Sequence, residues 1–254
     1  MAALEQSFAR HCEAAEEHVA FGIQEIDHIL HGGLKCGALH EAISERAAGA
    51  PALAGIALGV LQRLKTQQDR SAVWIRQRAI ETETGALYPH GIIPLGFDPG
   101  DLIVVRAQSV TDALSAGLDA VRCASLSAVV LETWGTPKAL DLTATRRLAL
   151  AAERSGVTPI LLRVGADPQP SVAHTRWQVV SAPSRPLPAN APGRPAFDLT
   201  LLRNRAGAFG QHWRVEWDHE TRQFQSIPPL SRGVVSVPVR RPAQPPATPL
   251  AQTG

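Results

Sequence analysis

From Phe21 to about Val164 the chain alternates short runs of β-branched and aliphatic residues with stretches whose apolar positions recur at helical spacing. Alternation of this kind predicts βαβ units built around a largely parallel sheet. The predicted strands are GALHEAI, SAVWI, DLIVV, SAVVLE and TPILLRV. Between them, Pro51 opens an apolar helical stretch to about Leu64, because proline's missing N–H costs nothing in a first helical turn. Ser109, with Asp112 three residues on, reads as a capping box ahead of a one-sided stripe of Val110, Leu114, Leu118 and Val121, which predicts a helix packing on the core. LDLTATRRLALAAERSG predicts another helix, stopped at Gly156.

Outside that span the pattern changes. Leu4, Phe8 and Cys12 recur at helical spacing among charges, which predicts a short amphipathic helix within residues 1–20. A core of residues 21–165 follows. In 166–230, SAPSRPLPANAPGRP holds five prolines and reads as a linker. FDLTLLRNRAGAFGQHWRVEW then predicts a hairpin, and ETRQFQSI an edge strand. Residues 231–254 carry Arg232, Arg240 and Arg241 with no acids, and their composition predicts a disordered Pro/Arg tail. The fold class expected is α/β: a mostly parallel central sheet flanked by helices, with a small C-terminal β extension and a tail.

Composition narrows the function by exclusion. With 254 residues and 44% hydrophobic content the chain can bury a sizeable core, while a formal net charge of +2 is too mild for a general nucleic-acid or membrane binder. Cys12, Cys36 and Cys123 lie far apart with no CxxC pair, which argues against a structural zinc or a disulfide framework. Glu5, Glu13, Glu16 and Glu17 stand where a signal peptide would be apolar, and no stretch reads as a membrane span. A cytoplasmic location without membrane contact is expected.

The decisive segment is FGIQEIDHILHGGLKCGALHEAISERAAGAPALAG. Gly22, Ile26, Asp27, Gly32, Gly33, Leu34, Gly37 and Glu41 follow the order and spacing that open a RecA-type ATPase core, so the segment resembles one leading into its phosphate loop. In a working loop, G-x-x-x-x-G-K-[ST], backbone N–H groups cradle the phosphates, the lysine reaches the terminal ones and the hydroxyl holds magnesium. The corresponding residues here are Ser44, Glu45, Arg46, Ala47, Ala48, Gly49, Ala50 and Pro51. Only the second glycine, Gly49, is kept. Ala50 supplies no charge, Pro51 supplies neither hydroxyl nor N–H, and Glu45 sets a negative charge where phosphate would lie. A charge-assisted hydrogen bond contributes about 1.5 to 3 kcal/mol, so loss of the lysine alone weakens phosphate binding roughly ten- to a hundredfold. The second acidic motif is reduced to Glu132 at the end of SAVVLE. Just beyond SAVWI, where a catalytic glutamate is expected, stand Arg76, Gln77 and Arg78.

A RecA-like core with a degenerate loop, the GGL turn, LGFDPGDLIVV and a late WRVEW resemble the ImuA family, over about residues 20 to 217. The resemblance implies an accessory role in DNA-damage-inducible mutagenesis, acting by protein contacts and without a cofactor. The partners it implies are ImuB, which is similar to Y-family polymerases, and an error-prone C-family polymerase. Contact with RecA through a retained inter-protomer surface is a further expectation.

Three rival readings stay open on the sequence. An atypical ATPase would use Arg46 or Lys35 for the missing lysine and Glu81 or Glu83 as the catalytic acid. A DNA-binding module would use Arg203 and Arg205 at the hairpin tip with Trp213 and Trp217 for stacking, Arg240 and Arg241 in the tail, or a surface of Arg76, Arg78, Arg146 and Arg147. The plainer reading packs both tryptophans on one strand face. A cell-division inhibitor of the SulA type is the third. His28, His31 and His40 offer no third metal ligand of fixed geometry, and Ser44 and Ser127 lack a nucleophile elbow, so neither metal binding nor hydrolase chemistry is expected.

Overall fold

In a computed structural model the residues described are 17–227 apart from Pro186 and Pro192. The amphipathic helix expected before residue 17 and the tail expected from 231, with Arg240 and Arg241, lie outside them.

A small antiparallel ribbon of β1 (His18–Val19) and β2 (Leu34–Lys35) encloses α1 (Gln24–Ile29). The main sheet is formed by β3 (His40–Ser44), β4 (Ala72–Gln77), β5 (Leu102–Ala107), β6 (Ala128–Trp134), β7 (Thr158–Val164), β8 (Thr175–Ala182), β9 (Ala196–Asn204), β10 (His212–Asp218) and β11 (Gln223–Ser226). Its order is β11-β10-β9-β8-β3-β7-β6-β4-β5. Every neighbour pair from β8 to β5 is parallel, and β9, β10 and β11 continue antiparallel. The connecting helices are α2 (Ala50–Gln68), α3 (Arg78–Thr84), α4 (Pro89–Ile92), α5 (Val110–Val121) and α6 (Leu142–Ser155). The molecule is thus α/β with a large, mostly parallel sheet flanked by helices.

Strand alternation divides the core in two. Trp74, Val130 and Leu162 point to the α2 side, while Val73, Ile75, Val129 and Leu131 point to the side of α5 and α6. The hairpin expected from FDLTLLRNRAGAFGQHWRVEW stands as β9 and β10, and ETRQFQSI supplies β11. Both join the main sheet through β8, which pairs with β3 on one side and β9 on the other.

Helix α2 buries eleven of its residues, Gly59 among them, along most of its girth. A Cβ on Gly55 would lie 2.8 Å from the ring of Phe197, and one on Gly59 would lie 2.4 Å from that of Phe224. The aromatic rings of β9 and β11 therefore rest directly on the helix backbone. This packing also corrects the expectation that no stretch is long and apolar enough for a bilayer: residues 47–68 meet that test, with 61% of the apolar window buried inside the fold. A helix covered on several sides needs apolar residues all round.

The capping box forms as read, Ser109 Oγ accepting from Asp112 N at 3.1 Å and Asp112 Oδ2 accepting from Ser109 N at 3.0 Å. The stripe it precedes is rotated, however. Ala113, Gly117 and Val121 are the buried residues of α5, while Val110, Leu114 and Leu118 are only partly covered. A Cβ on Gly117 would come within 2.4 Å of Leu131, so α5 seats on its small residues and turns its leucines toward α6.

Candidate functional site

The residues aligned above with a phosphate loop, Ser44 to Pro51, follow the carboxyl end of β3, between β7 and β8, which is where open α/β sheets carry ligand loops. Their interior is filled by the loop's own atoms. Ser44 Oγ donates to the Arg46 carbonyl at 2.8 Å, and Gly49 N donates to the same carbonyl at 3.0 Å. A Cβ on Gly49 would fall 1.8 Å from Ser44 Oγ, so Gly49 is the only residue type that fits against the folded-back serine. Glu45 Oε1 accepts from Gln178 Nε2 of β8 at 2.7 Å, placing a carboxylate beside a cleft of about 400 Å3 between the loop and β8. Pro51 stands in the first turn of α2, where it withholds one of the N–H groups that an anion would use. Arg46 is exposed at the outer rim.

Glu132 is fully buried and already engaged. Its Oε2 accepts from Arg76 Nε at 2.7 Å and from Trp74 Nε1 at 2.8 Å, and its Oε1 accepts a longer bond from Arg76 at 3.4 Å. Arg76 in turn donates to the Gly85 carbonyl and to Thr84 Oγ1, at 2.6 and 2.9 Å. The reading of Arg76 as part of a basic surface is therefore corrected: it is 6% exposed, and the carboxylate across the strand pair draws it inward. A sequence signal for this pair exists. SAVWIR and SAVVLE both begin Ser-Ala-Val, and their register sets Ala72 opposite Ala128 and Arg76 opposite Glu132. Beyond the pair lies an apolar cleft of about 330 Å3, bounded by Pro51, Leu87, Tyr88, Ile92 and Trp217.

Other motif residues hold the framework. Asp27 accepts from Phe21 N and Gly22 N at 2.7 and 3.0 Å, and Gly33 passes so close to Val19 that a Cβ would sit 2.2 Å from its carbonyl oxygen. Glu41 is enclosed by Arg163, Arg176 and Ser171, at 3.1, 2.7 and 2.9 Å. Lys35 belongs to the opposite end of β3 from the loop, since its carbonyl meets His40 at the strand's first residue, and β3 spans about 13 Å beyond that. Glu81 pairs with Arg106 of β5 at 3.0 Å, and Glu83 is exposed on α3. Lys35 is thus not brought to the loop in place of a lysine.

Trp213 and Trp217 are buried, Trp217 donating its indole N–H to the Leu95 carbonyl at 2.8 Å. Arg203 donates to the Ser171 carbonyl at 2.5 Å, and Arg205 is exposed. Arg78 bonds Gln108 at 3.2 Å, while Arg146 and Arg147 lie exposed on α6. Ser127 Oγ donates to the carbonyls of Arg70 and Ser71. His28 and His31 are exposed, His40 is buried, and no group of three metal-ligating side chains stands together among the described residues.

No protein-family model matches the chain. It is 32% identical to Protein ImuA of Caulobacter vibrioides strain NA1000 / CB15N over 208 residues, covering 76% of this chain and 80% of that protein. The match to Protein ImuA of strain ATCC 19089 / CIP 103742 / CB 15 has the same identity and coverage. With a third of aligned positions identical along three quarters of its length, the chain belongs to the ImuA family.

Proposed function

We propose that this protein is a non-catalytic, RecA-like accessory protein of DNA-damage-induced mutagenesis, working in the cytoplasm through contacts with translesion polymerase components. Its partners on this reading are an ImuB-like homologue of Y-family polymerases and an error-prone C-family polymerase, with RecA as a further contact. Family membership supports the biological setting, and the position of the loop after a central parallel strand supports the RecA-like reading. The non-catalytic part rests on one observation above all: the carboxylate available for metal or water chemistry, Glu132, is buried against Arg76 and Trp74. A carboxylate neutralised by a guanidinium and sealed from solvent neither coordinates magnesium nor deprotonates water without first breaking that pair.

The test is a magnesium-dependent ATPase assay on the full chain, together with thermal unfolding at saturating ATP. No turnover and an unshifted melting temperature are expected, because a ligand stabilises only the state it binds. Turnover that disappears in Glu132→Gln would overturn the reading. Co-purification with the ImuB-like protein tests the accessory role, and a clean failure to associate under conditions where both are folded counts against it.

A further inference from the structure

Helices α5 and α6 both cross back between parallel strands, so they run side by side on the face of the sheet away from α2 with their carboxyl ends together. A groove follows the pair as two hollows of about 580 and 500 Å3 that share Leu118 and Arg147. Its lining repeats at a regular interval. Thr111, Ser115, Leu118 and Arg122 on the α5 side are four, three and four residues apart, and so are Thr143, Arg147, Leu150 and Arg154 on α6. That interval keeps one face of a helix turned toward a neighbour, as along the seam of a coiled coil. Two such faces side by side make a seat for a third helix. Charge divides the seat by its ends. Arg122, Arg147 and Arg154 stand toward the carboxyl ends. Arg122 is paired with exposed Asp119 at 3.3 Å, whereas Arg147 and Arg154 form no ion pair among the described residues. Glu153 and Arg146, the other charges on this part of α6, lie outside the lining. At the amino ends Asp112 and Asp141 are engaged in capping, accepting from Ser109 N and Ala144 N. Between the ends the floor is apolar, with Leu114, Leu118 and Ala151, and Leu150 is 43% exposed.

We propose that this groove receives an amphipathic helix of a partner protein, acidic in its first turns and lying antiparallel to α5 and α6. In that orientation its leading carboxylates meet Arg147 and Arg154, its apolar stripe covers Leu118 and Leu150, and its dipole opposes those of the two helices beneath it. Acidic residues are favoured at a helix's own amino end, so the charge the groove asks for is the charge such a helix carries there. A nucleic-acid backbone would also meet the arginines, but it would leave the leucines between them facing phosphate and water, whereas an amphipathic helix removes them from water. On the accessory reading, on which this assignment rests for the partner's being a protein, the groove is a contact surface that shares no residue with the cleft beside the loop after β3.

The experiment titrates the leucine-methyl-labelled full chain with a stapled synthetic helix of about 18 residues, long enough to cover the roughly 21 Å of α6, with leucines at heptad spacing and glutamates beside them in its first two turns. The signals of Leu114, Leu118 and Leu150 should shift together. Arg147→Glu with Arg154→Glu should weaken binding by roughly tenfold or more, and a peptide with lysines in place of the glutamates should prefer that variant to the parent. The variant's remaining signals, unmoved, show that it is folded. A nitroxide on the peptide's amino terminus should broaden Leu150 more than Leu142, which stands exposed at the first residue of α6, and one on its carboxyl terminus should do the reverse. No shift, equal affinity of the parent for both peptides, or the opposite broadening overturns the proposal. The same methyls moved by a single-stranded oligonucleotide in preference to the peptide would assign the groove to nucleic acid, and moved by raising the concentration of the chain alone, to a second copy; either result also overturns it. Co-purification keeps the two readings apart. A chain that binds the peptide but not the ImuB-like protein keeps the groove and loses that partner, and one that binds the ImuB-like protein but not the peptide does the opposite.

Discussion

The Arg76–Glu132 pair is a buried structural element of the β4–β6 seam. A buried ion pair that loses one member leaves an uncompensated charge, at a cost of about 3 to 5 kcal/mol. Arg76→Met and Glu132→Met should each destabilise by that order, while the double substitution should cost clearly less than their sum. It will not be free, because the Trp74 indole and the Thr84 hydroxyl keep no acceptor or donor there. Urea unfolding of the four proteins measures the coupling, and strictly additive losses would refute the account. His40 gives a second residue-scale expectation. Burial pushes its imidazole down from 6.5 to about 4, helped by the nearby His174 and His18 and opposed by the hydrogen bond to the Lys35 carbonyl. Thr175 Oγ1 accepts from Trp177 Nε1, so its own proton is free for His40 Nδ1, which leaves Nε2–H to meet Lys35. A neutral buried histidine binds its proton later than the unfolded chain does, so its contribution is intact above about pH 6.5 and is lost as pH falls toward 4. A shift of that size corresponds to about 3 kcal/mol. Unfolding free energies at pH 7.5 and 4.5 should therefore fall less in His40→Gln than in the parent, even though the variant starts lower. The motif residues around these two were legible in the sequence by spacing. Their roles were not, because spacing does not tell that Asp27 holds two backbone amides or that Glu41 sits between two arginines.

Among the elements, β4, β6 and β7 were legible because their β-branched and aliphatic runs are nearly continuous, as strands buried on both faces must be, whereas β3, with His40, Glu41 and Ser44, was legible through the glycine-rich segment that leads into it. Edge strand β5 has the same composition with Ile103 and Val104 half-exposed, so composition reports strand character without reporting position in the sheet. Strand β8 escaped notice for the complementary reason. Thr175, Arg176, Gln178 and Ser181 interrupt it, and the polar members at 175 and 176 are buried by partners far away in sequence, His40 and Glu41. Missing β8 is what made the hairpin look like an appendage. The rotation of α5 has a similar origin: leucines dominate a periodicity reading, yet the closest approach to Leu131 is made by Gly117, whose lack of a side chain carries no hydrophobic signal. In the loop after β3 the residue types could be read off the sequence, whereas the filling of its interior by Ser44 and the tie from Glu45 to Gln178 needed the fold.

At the scale of the whole molecule, β8 to β11 complete the main sheet, and that has a measurable consequence. Without them β3 becomes an edge strand, Glu41 loses Arg176 and Ser171, and Arg163 is left as its ion-pair partner. The α2 face loses Trp177, Phe197, Leu199, Trp213, Trp217 and Phe224 together. Burying a large side chain contributes about 1.5 to 3 kcal/mol, so six such losses, about 9 to 18 kcal/mol, are as large as the whole 5 to 15 kcal/mol that holds a domain folded. A chain of residues 1–165 should consequently show no cooperative urea transition and no near-ultraviolet circular dichroism from its remaining tryptophans, Trp74 and Trp134, although every strand legible as parallel from the sequence is still in it. A sharp transition in that fragment, near the midpoint of the full chain, would mean that the antiparallel strands only lean on an independent core. The aromatic rings pressed against Gly55 and Gly59 argue the other way, because α2, which follows the Ser44–Gly49 loop, has no second apolar surface to put in their place.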